Sequence, residues 1–181
     1  MQLGNYDVQA PMLLGGEMGE AEALGAAVWL WMHSKMHRET PLYALPDLLL
    51  PAIKRQQYAI ASRNGQPVLY LSWMWLNTDA EHRYLTKSPL LLQESDWASG
   101  ERMWLRDFIA PFGDLFPLRR LVTRALFPER CFRSLYHRGD SRGLCVMNFH
   151  GDNITASQAK AWRAAAPLSA RVKKDKSGTL S

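Results

Sequence analysis

The tetrapeptide Arg63-Asn64-Gly65-Gln66 lies between two runs suited to extended backbone, Tyr58–Ser62 and Pro67–Trp75. Asn-Gly tolerates positive φ at both central positions, which a two-residue hairpin turn requires because only that backbone hand matches the twist of the flanking strands. The chain is thereby committed to an antiparallel pair containing a long, almost wholly apolar second strand.

The helices are legible around it. Leu24, Ala27, Val28, Trp31 and Met32 fall at i, i+3, i+4, i+7 and i+8, one apolar stripe, with Glu17, Glu20 and Glu22 near the end where a helix dipole favours acids. This helix should finish near Ser34–His37, before Pro41. A second helical stretch, about Leu45–Gln57, should be interrupted or kinked by Pro51. Thr78 and Glu81 have capping-box spacing. Arg102–Ile109 reads as a strand, with Met103, Leu105, Asp107 and Ile109 on one face and Trp104, Arg106 and Phe108 on the other. Ala110–Asp114 makes a turn. Leu118, Leu121, Val122, Ala125 and Leu126 form another helical stripe. Cys131–Arg138 and Leu144–His150 read as strands joined across Gly139–Gly143, and a last helix starts near Thr155.

The expected organisation is one α/β domain over 17–170, preceded by a loose leader, 1–16, and followed by a flexible basic tail, 171–181. A chain of 181 residues is long enough to bury a real core. No apolar run approaches the roughly 18–20 residues that cross a bilayer, so no transmembrane segment is expected, and the first residues lack a secretory pattern. Two cysteines, Cys131 and Cys145, make no disulfide scaffold and point to a reducing cytoplasm.

The net charge of +5 is unevenly spread. Residues 1–101 carry −4, whereas Arg102–Arg138 holds eight arginines, no lysine and three acids. A basic block of this kind suits nucleic acid or an acidic protein equally well.

No Walker loop, dinucleotide fingerprint, Gly-x-Ser-x-Gly elbow or zinc-type Cys/His quartet occurs, so no metal or bound cofactor is expected. Two side chains stand out. His37 follows an amphipathic helix beside Arg38. Asp107 lies on an otherwise apolar strand face, where a carboxylate is costly unless paired. A carboxylate can orient an imidazole as general base; equally, His37 can be a solvated helix-end residue and Asp107 an arginine's partner.

Trp29–Arg38, Leu50-Pro-Ala-Ile53, Gln57-Tyr-Ala59, Pro67-Val68, Ser72-Trp73 and the block from Asp96-Trp97 through Ile109-Ala-Pro-Phe-Gly-Asp114 occur in one order. In these motifs the chain resembles the RTX toxin-activating lysine acyltransferases, of the hemolysin-activating protein C type, from about Leu24 to Gly151. The resemblance implies a single-domain fold similar to the GNAT acetyltransferases, with a mixed, mostly antiparallel sheet flanked by helices. It implies transfer of a fatty acyl group from acyl-carrier protein to internal lysines of an RTX protoxin, in the cytoplasm, by a homodimer. The family's catalytic His and Asp match His37 and Asp107, and Ser34 matches a nearby serine; Arg38 is a further accessory candidate. Lys35 stands where a Pro is usual, Glu39-Thr40 replaces an Asp/Asn-Trp pair, and the chain beyond Gly151 matches poorly. These departures flank the site and bear on acyl-chain and toxin preference.

The arginine block then offers Arg119, Arg120 and Arg124 for docking an acidic carrier, the alternative being a solvated helix face. Trp29, Trp31, Trp73, Trp75 and Trp104 are candidates for an acyl groove or simply for the core; Trp29 and Trp31, two apart on one helix, cannot face the same way. A toxin chaperone with the same fold but no catalysis, and a nucleic-acid-binding module, are the readings from other classes.

Overall fold

A computed structural model describes residues 1–88, 91–137 and 144–172. Seven strands lie in sequence order in one sheet: β1 (Gln2–Leu3), β2 (Tyr6–Gln9), β3 (Tyr58–Arg63), β4 (Gln66–Leu76), β5 (Arg102–Ile109), β6 (Cys131–His137) and β7 (Leu144–His150). The helices are α1 (Pro11–Leu14), α2 (Glu20–His33), α3 (Leu45–Leu48), α4 (Leu50–Lys54), α5 (Thr78–Thr86), α6 (Leu115–Leu121) and α7 (Ala156–Ala165). The β3–β4 hairpin forms as expected, with Asn64 at φ 52° and Gly65 at φ 77°.

Every strand pair is antiparallel except β5–β6, which is parallel and limited to Trp104↔Arg133 and Leu105↔Ser134. A parallel pair needs a crossover. It is supplied by α6 and a π-helical turn, Val122–Leu126. Beyond Leu105, β5 is paired to β4 alone, and beyond Ser134, β6 is paired to β7 alone. The sheet therefore parts at the carboxyl ends of its two parallel strands, the place where open α/β sheets take ligands. This is the mixed, mostly antiparallel sheet flanked by helices that the GNAT-like resemblance implies.

Each face carries its own core. On one, Leu118, Leu121, Val122, Leu126 and Phe127 cover Leu69, Leu71, Trp73, Met103 and Leu105. On the other, Ala23, Ala27, Leu30 and Trp31 of α2 cover Tyr58, Ile60, Tyr70 and Ile109. Further along that second face, Ala80, Tyr84, Leu85 and Trp97 cover Met74, Leu76 and Trp104.

Four expectations are corrected. Residues 1–16 are not loose: β2 pairs with β3, and Tyr6, Val8 and Ala10 are buried, because the alternation Tyr6-Asp7-Val8-Gln9 presents two apolar side chains to the core. The second helical stretch is interrupted, as expected, into α3 and α4, with Pro46 and Pro51 each in a first helical turn, where the missing N–H costs nothing, but it ends at Lys54 and not Gln57, and a 3₁₀ turn (Leu42–Ala44) precedes it. Helix α5 is capped by Asn77, whose Oδ1 accepts from Ala80 N at 2.8 Å, and not by a Thr78–Glu81 box.

The fourth correction concerns β5. The register runs Trp73↔Leu105 and then Ser72↔Asp107, leaving Arg106 unmatched in a β-bulge. One extra residue reverses the alternation. Asp107 and Ile109 therefore share the α2 side with Ser72, Tyr70 and Trp104, while Phe108 joins Met103 and Leu105 on the α6 side.

The β6 and β7 strands and the Thr155-capped α7 lie where expected; the Gly139–Gly143 connection and nearly all of the tail fall outside the described residues. Glu81 is fully buried and fastens the C-terminal segment to the sheet. It accepts from Trp104 Nε1 (3.0 Å), Arg102 Nη1 (2.9 Å), Arg133 Nη1 (3.2 Å) and Ser169 N (2.9 Å), and Arg133 in turn donates to Ala166 O.

Candidate active site

Helix α2 ends at His33 because Ser34 takes extended backbone angles, φ −91° and ψ 121°. The turn that follows is pinned by Ser34: its carbonyl accepts from His37 N and Arg38 N, both at 3.0 Å. Its hydroxyl lies 2.8 Å from His37 Nδ1. The His37 ring rests on Trp31, with centroids 4.8 Å apart. Trp31 is 4% exposed and packs in the cluster containing Tyr70 and Ile109. His37 is thus held by a backbone turn, a hydroxyl and an aromatic wall, and remains partly accessible.

Asp107 reaches the same side of the sheet through the bulge. It is 6% exposed, next along β5 from Ile109's side of that cluster. Burying a carboxylate is expensive unless charge and hydrogen bonds compensate. Both are present: Ser72 Oγ donates to Oδ2 at 2.5 Å, and Arg106 Nη1 stands 3.8 Å from Oδ1. The Arg106 guanidinium lies over Trp97, 5.5 Å from the ring centroid.

The field of this pair reaches two phenols. Burial pushes the Tyr70 hydroxyl well above the usual tyrosine range, with the Asp107 charge adding to the rise and Arg106 opposing it. The Tyr84 hydroxyl is pushed up to about 12 by burial, with Arg106 lowering and Asp107 raising it. Asp107 therefore sits between β4 and α5, flanked by phenols that stay protonated at neutral pH.

The structure brings Ser34 and His37 into contact and sets His37, against Trp31, and Asp107, opposite Ser72, on one side of the sheet. Arg38 points to solvent and makes a long ion pair with Glu39, 3.8 Å. Two residues of the site, Ser72 and Arg106, were not singled out by residue chemistry. A lone serine within the apolar run Leu69–Leu76 is the signal that marks Ser72; the unmatched position of Arg106 depends on pairing and leaves no sequence trace.

The three arginines offered for docking do not form a uniform free surface. Arg124 Nε is 2.5 Å from Asp152 Oδ2, Arg119 lies over Phe149 and Arg120 over Phe116. Of the tryptophans, Trp73 and Trp104 are fully buried in the two opposite cores, whereas Trp29, on the α2 face away from Trp31, is 41% exposed. Met32, Met36, Phe112, Leu115 and Phe116 are also exposed, and the His33 ring contacts both Trp29 (4.3 Å) and Phe112 (5.1 Å). Among the described residues, no group of His, Cys, Asp and Glu is placed to hold a metal ion, and no helix is long and apolar enough to cross a membrane.

Comparison with known proteins meets this geometry. A sequence model of the RTX toxin acyltransferase family matches residues 17–150. The protein-lysine myristoyltransferase RtxC of Kingella kingae is 37% identical over 142 residues, 78% of this chain and 84% of that protein. The RTX-I toxin-activating lysine-acyltransferase ApxIC of Actinobacillus pleuropneumoniae is 41% identical over 133 residues, 74% of this chain and 76% of its own. The protein-lysine palmitoyltransferase CyaC of Bordetella bronchiseptica is 36% identical over 155 residues, 84% and 82%. The matched span contains Ser34, His37, Ser72 and Asp107 and leaves α7 outside.

Proposed function

The chain belongs to the RTX toxin acyltransferase family, and from that premise we propose that it carries a long fatty acyl chain from the thioester of acyl-carrier protein to internal lysines of an RTX protoxin. The names of its relatives suggest chains of myristoyl to palmitoyl length. It acts as a protein-lysine acyltransferase in the cytoplasm, as a homodimer, with no bound cofactor. The observation that carries the residue assignment is the bulge, which turns Asp107 to the side of the sheet where Ser34 and Trp31 hold His37.

A thioester is already activated, so the difficult reactant is the amine. With an unperturbed pKa near 10.4, about one lysine in a few thousand is free base at neutral pH. His37 accepts the lysine proton as the amine attacks the thioester carbonyl, and Asp107 orients the ring and stabilises the imidazolium. The tetrahedral intermediate collapses to the amide, and the carrier's thiolate leaves with the proton that His37 returns. The acidic carrier docks beside His37, on the exposed Trp29, Met32 and Met36 and the cationic Lys35 and Arg38 of the same segment.

One observation favours a second reading. Ser34 Oγ and His37 Nδ1, 2.8 Å apart, have the spacing of a nucleophile and its base, so acyl transfer by way of an acyl-Ser34 intermediate fits the same corner. Intact-mass analysis of the candidate protoxin after co-expression tests both. Wild type should add acyl mass to the toxin and His37→Ala should not. Toxin binding without mass gain by wild type supports the chaperone instead. An acyl-enzyme trapped after mixing with donor alone supports the serine route.

A further inference from the structure

We infer that Ser72 and Arg106 are positioning residues for Asp107, so that the orienting carboxylate is itself oriented on both of its oxygens. The inference rests on the reading of Asp107 as the group that holds His37.

The Ser72 side chain is fully buried on the α2 side of β4, between Tyr70 and Met74 along the strand, where a hydroxyl is costly unless it is hydrogen-bonded. It donates to Asp107 Oδ2 at 2.5 Å, with the Tyr70 hydroxyl as a second polar neighbour. A hydroxyl donating to a carboxylate makes a strong, directional bond, and Ser72 stands directly across the ladder from Asp107, so two backbone strands set its aim.

Arg106 is the extra residue of the bulge. Its side chain is 8% exposed, and its Nε is buried without a hydrogen-bond partner. A strand gains no pairing from an additional residue, and a buried guanidinium with an unused donor is unfavourable in itself. What the insertion accomplishes is to stand a fixed positive charge, braced on Trp97, 3.8 Å from Oδ1. Local rules broken together at one position mark a residue kept for the site it serves. Between them, Ser72 fixes one oxygen by geometry and Arg106 biases the other by charge. The buried carboxylate is thereby fixed at both oxygens.

Steady-state kinetics with acyl-carrier donor and protoxin acceptor test this. Ser72→Ala should lower kcat about ten- to a hundredfold, the scale of one lost charge-assisted bond, with KM unchanged for both substrates. Ser72→Thr and Ser72→Val differ only in a hydroxyl against a methyl, so Thr should recover most of the rate and Val should not. Arg106→Lys should retain more kcat than Arg106→Met. Thermal unfolding of each variant confirms a folded sample; if the alanine variant fails to fold, the Thr–Val contrast decides. Equal losses for Thr and Val, a wild-type kcat for Ser72→Ala, or a change confined to KM overturns the inference. Asp107→Asn is the separating control: a nearly inactive variant leaves the underlying reading standing, whereas an active one removes that reading rather than the clamp.

Discussion

Ser34 grips His37 twice, through the main chain and through the ring: its carbonyl receives His37 N at 3.0 Å while its hydroxyl meets Nδ1 at 2.8 Å. The imidazole is therefore not a free rotor at a helix end but a ring set at a defined angle against Trp31.

This double hold separates the two chemical schemes. If His37 is the base and Ser34 only steadies it, Ser34→Ala should reduce acyl transfer by about tenfold, while His37→Ala should lose roughly a hundred- to ten-thousandfold. Rapid mixing of wild type with donor alone should then yield no acyl-enzyme mass. A Ser34→Ala variant as inactive as His37→Ala, together with a trapped ester, selects the serine nucleophile.

Glu81 offers a stability test remote from the chemistry. Glu81→Ala removes the acceptor of Trp104, Arg102, Arg133 and Ser169 at once and leaves the buried Arg133 guanidinium uncompensated. Breaking a buried pair from one side costs about 3–5 kcal/mol. Burial already pulls the Arg133 guanidinium below its ordinary range, so the loss of its anion falls on a strained cation. Denaturant unfolding should show the drop, with the rate per folded molecule close to wild type.

Tyr84 makes the fold sensitive to strong base. Its hydroxyl is pushed up to about 12 by burial, whereas in the unfolded chain a phenol titrates near 10. The folded state thus keeps its proton more tightly. That stabilisation is complete below about pH 10 and declines by up to about 1.4 kcal/mol per pH unit as pH rises towards 12. Tyr84→Phe should lessen this decline, read as the denaturant midpoint against pH; an unchanged slope would show that the phenol is not shielded.

The charges around the site divide into engaged and available. Arg124 is bound to Asp152, and this hydrogen bond holds the Asp152 carboxyl below its ordinary range. Arg124→Glu should weaken the fold as pH rises above the carboxylate range, without changing the donor's KM. Reversing Lys35 and Arg38 together should raise that KM several-fold and flatten its dependence on salt. Initial rates at two ionic strengths measure both.

Much of this architecture could be read from residues. The Asn64-Gly65 turn, the α2 stripe, the β6 and β7 strands and the Thr155 cap are local features, each written within a few adjacent positions, and they form as their chemistry dictates. His37 and Asp107 stood out because polar groups beside apolar stripes are conspicuous. What escaped was non-local. The β2 strand is only four residues long, and its place in the sheet depends on β3. Glu81 has a capping residue's spacing but is drawn inward by two arginines more than twenty positions away. The face of Asp107 depends on which β4 residue Leu105 meets, information that no window along β5 contains.

The extra residue at Arg106 also divides labour along one strand. Met103 and Leu105 answer to the packing beneath α6, while Asp107 and Ile109 answer to α2. Substitutions that accumulate under α6 can thus be absorbed without disturbing the aim of the carboxylate, and variation on α2 can retune the reactive corner without loosening the opposite core. The bulge acts as a mechanical break in the strand, and it leaves this enzyme two surfaces on which change can proceed independently.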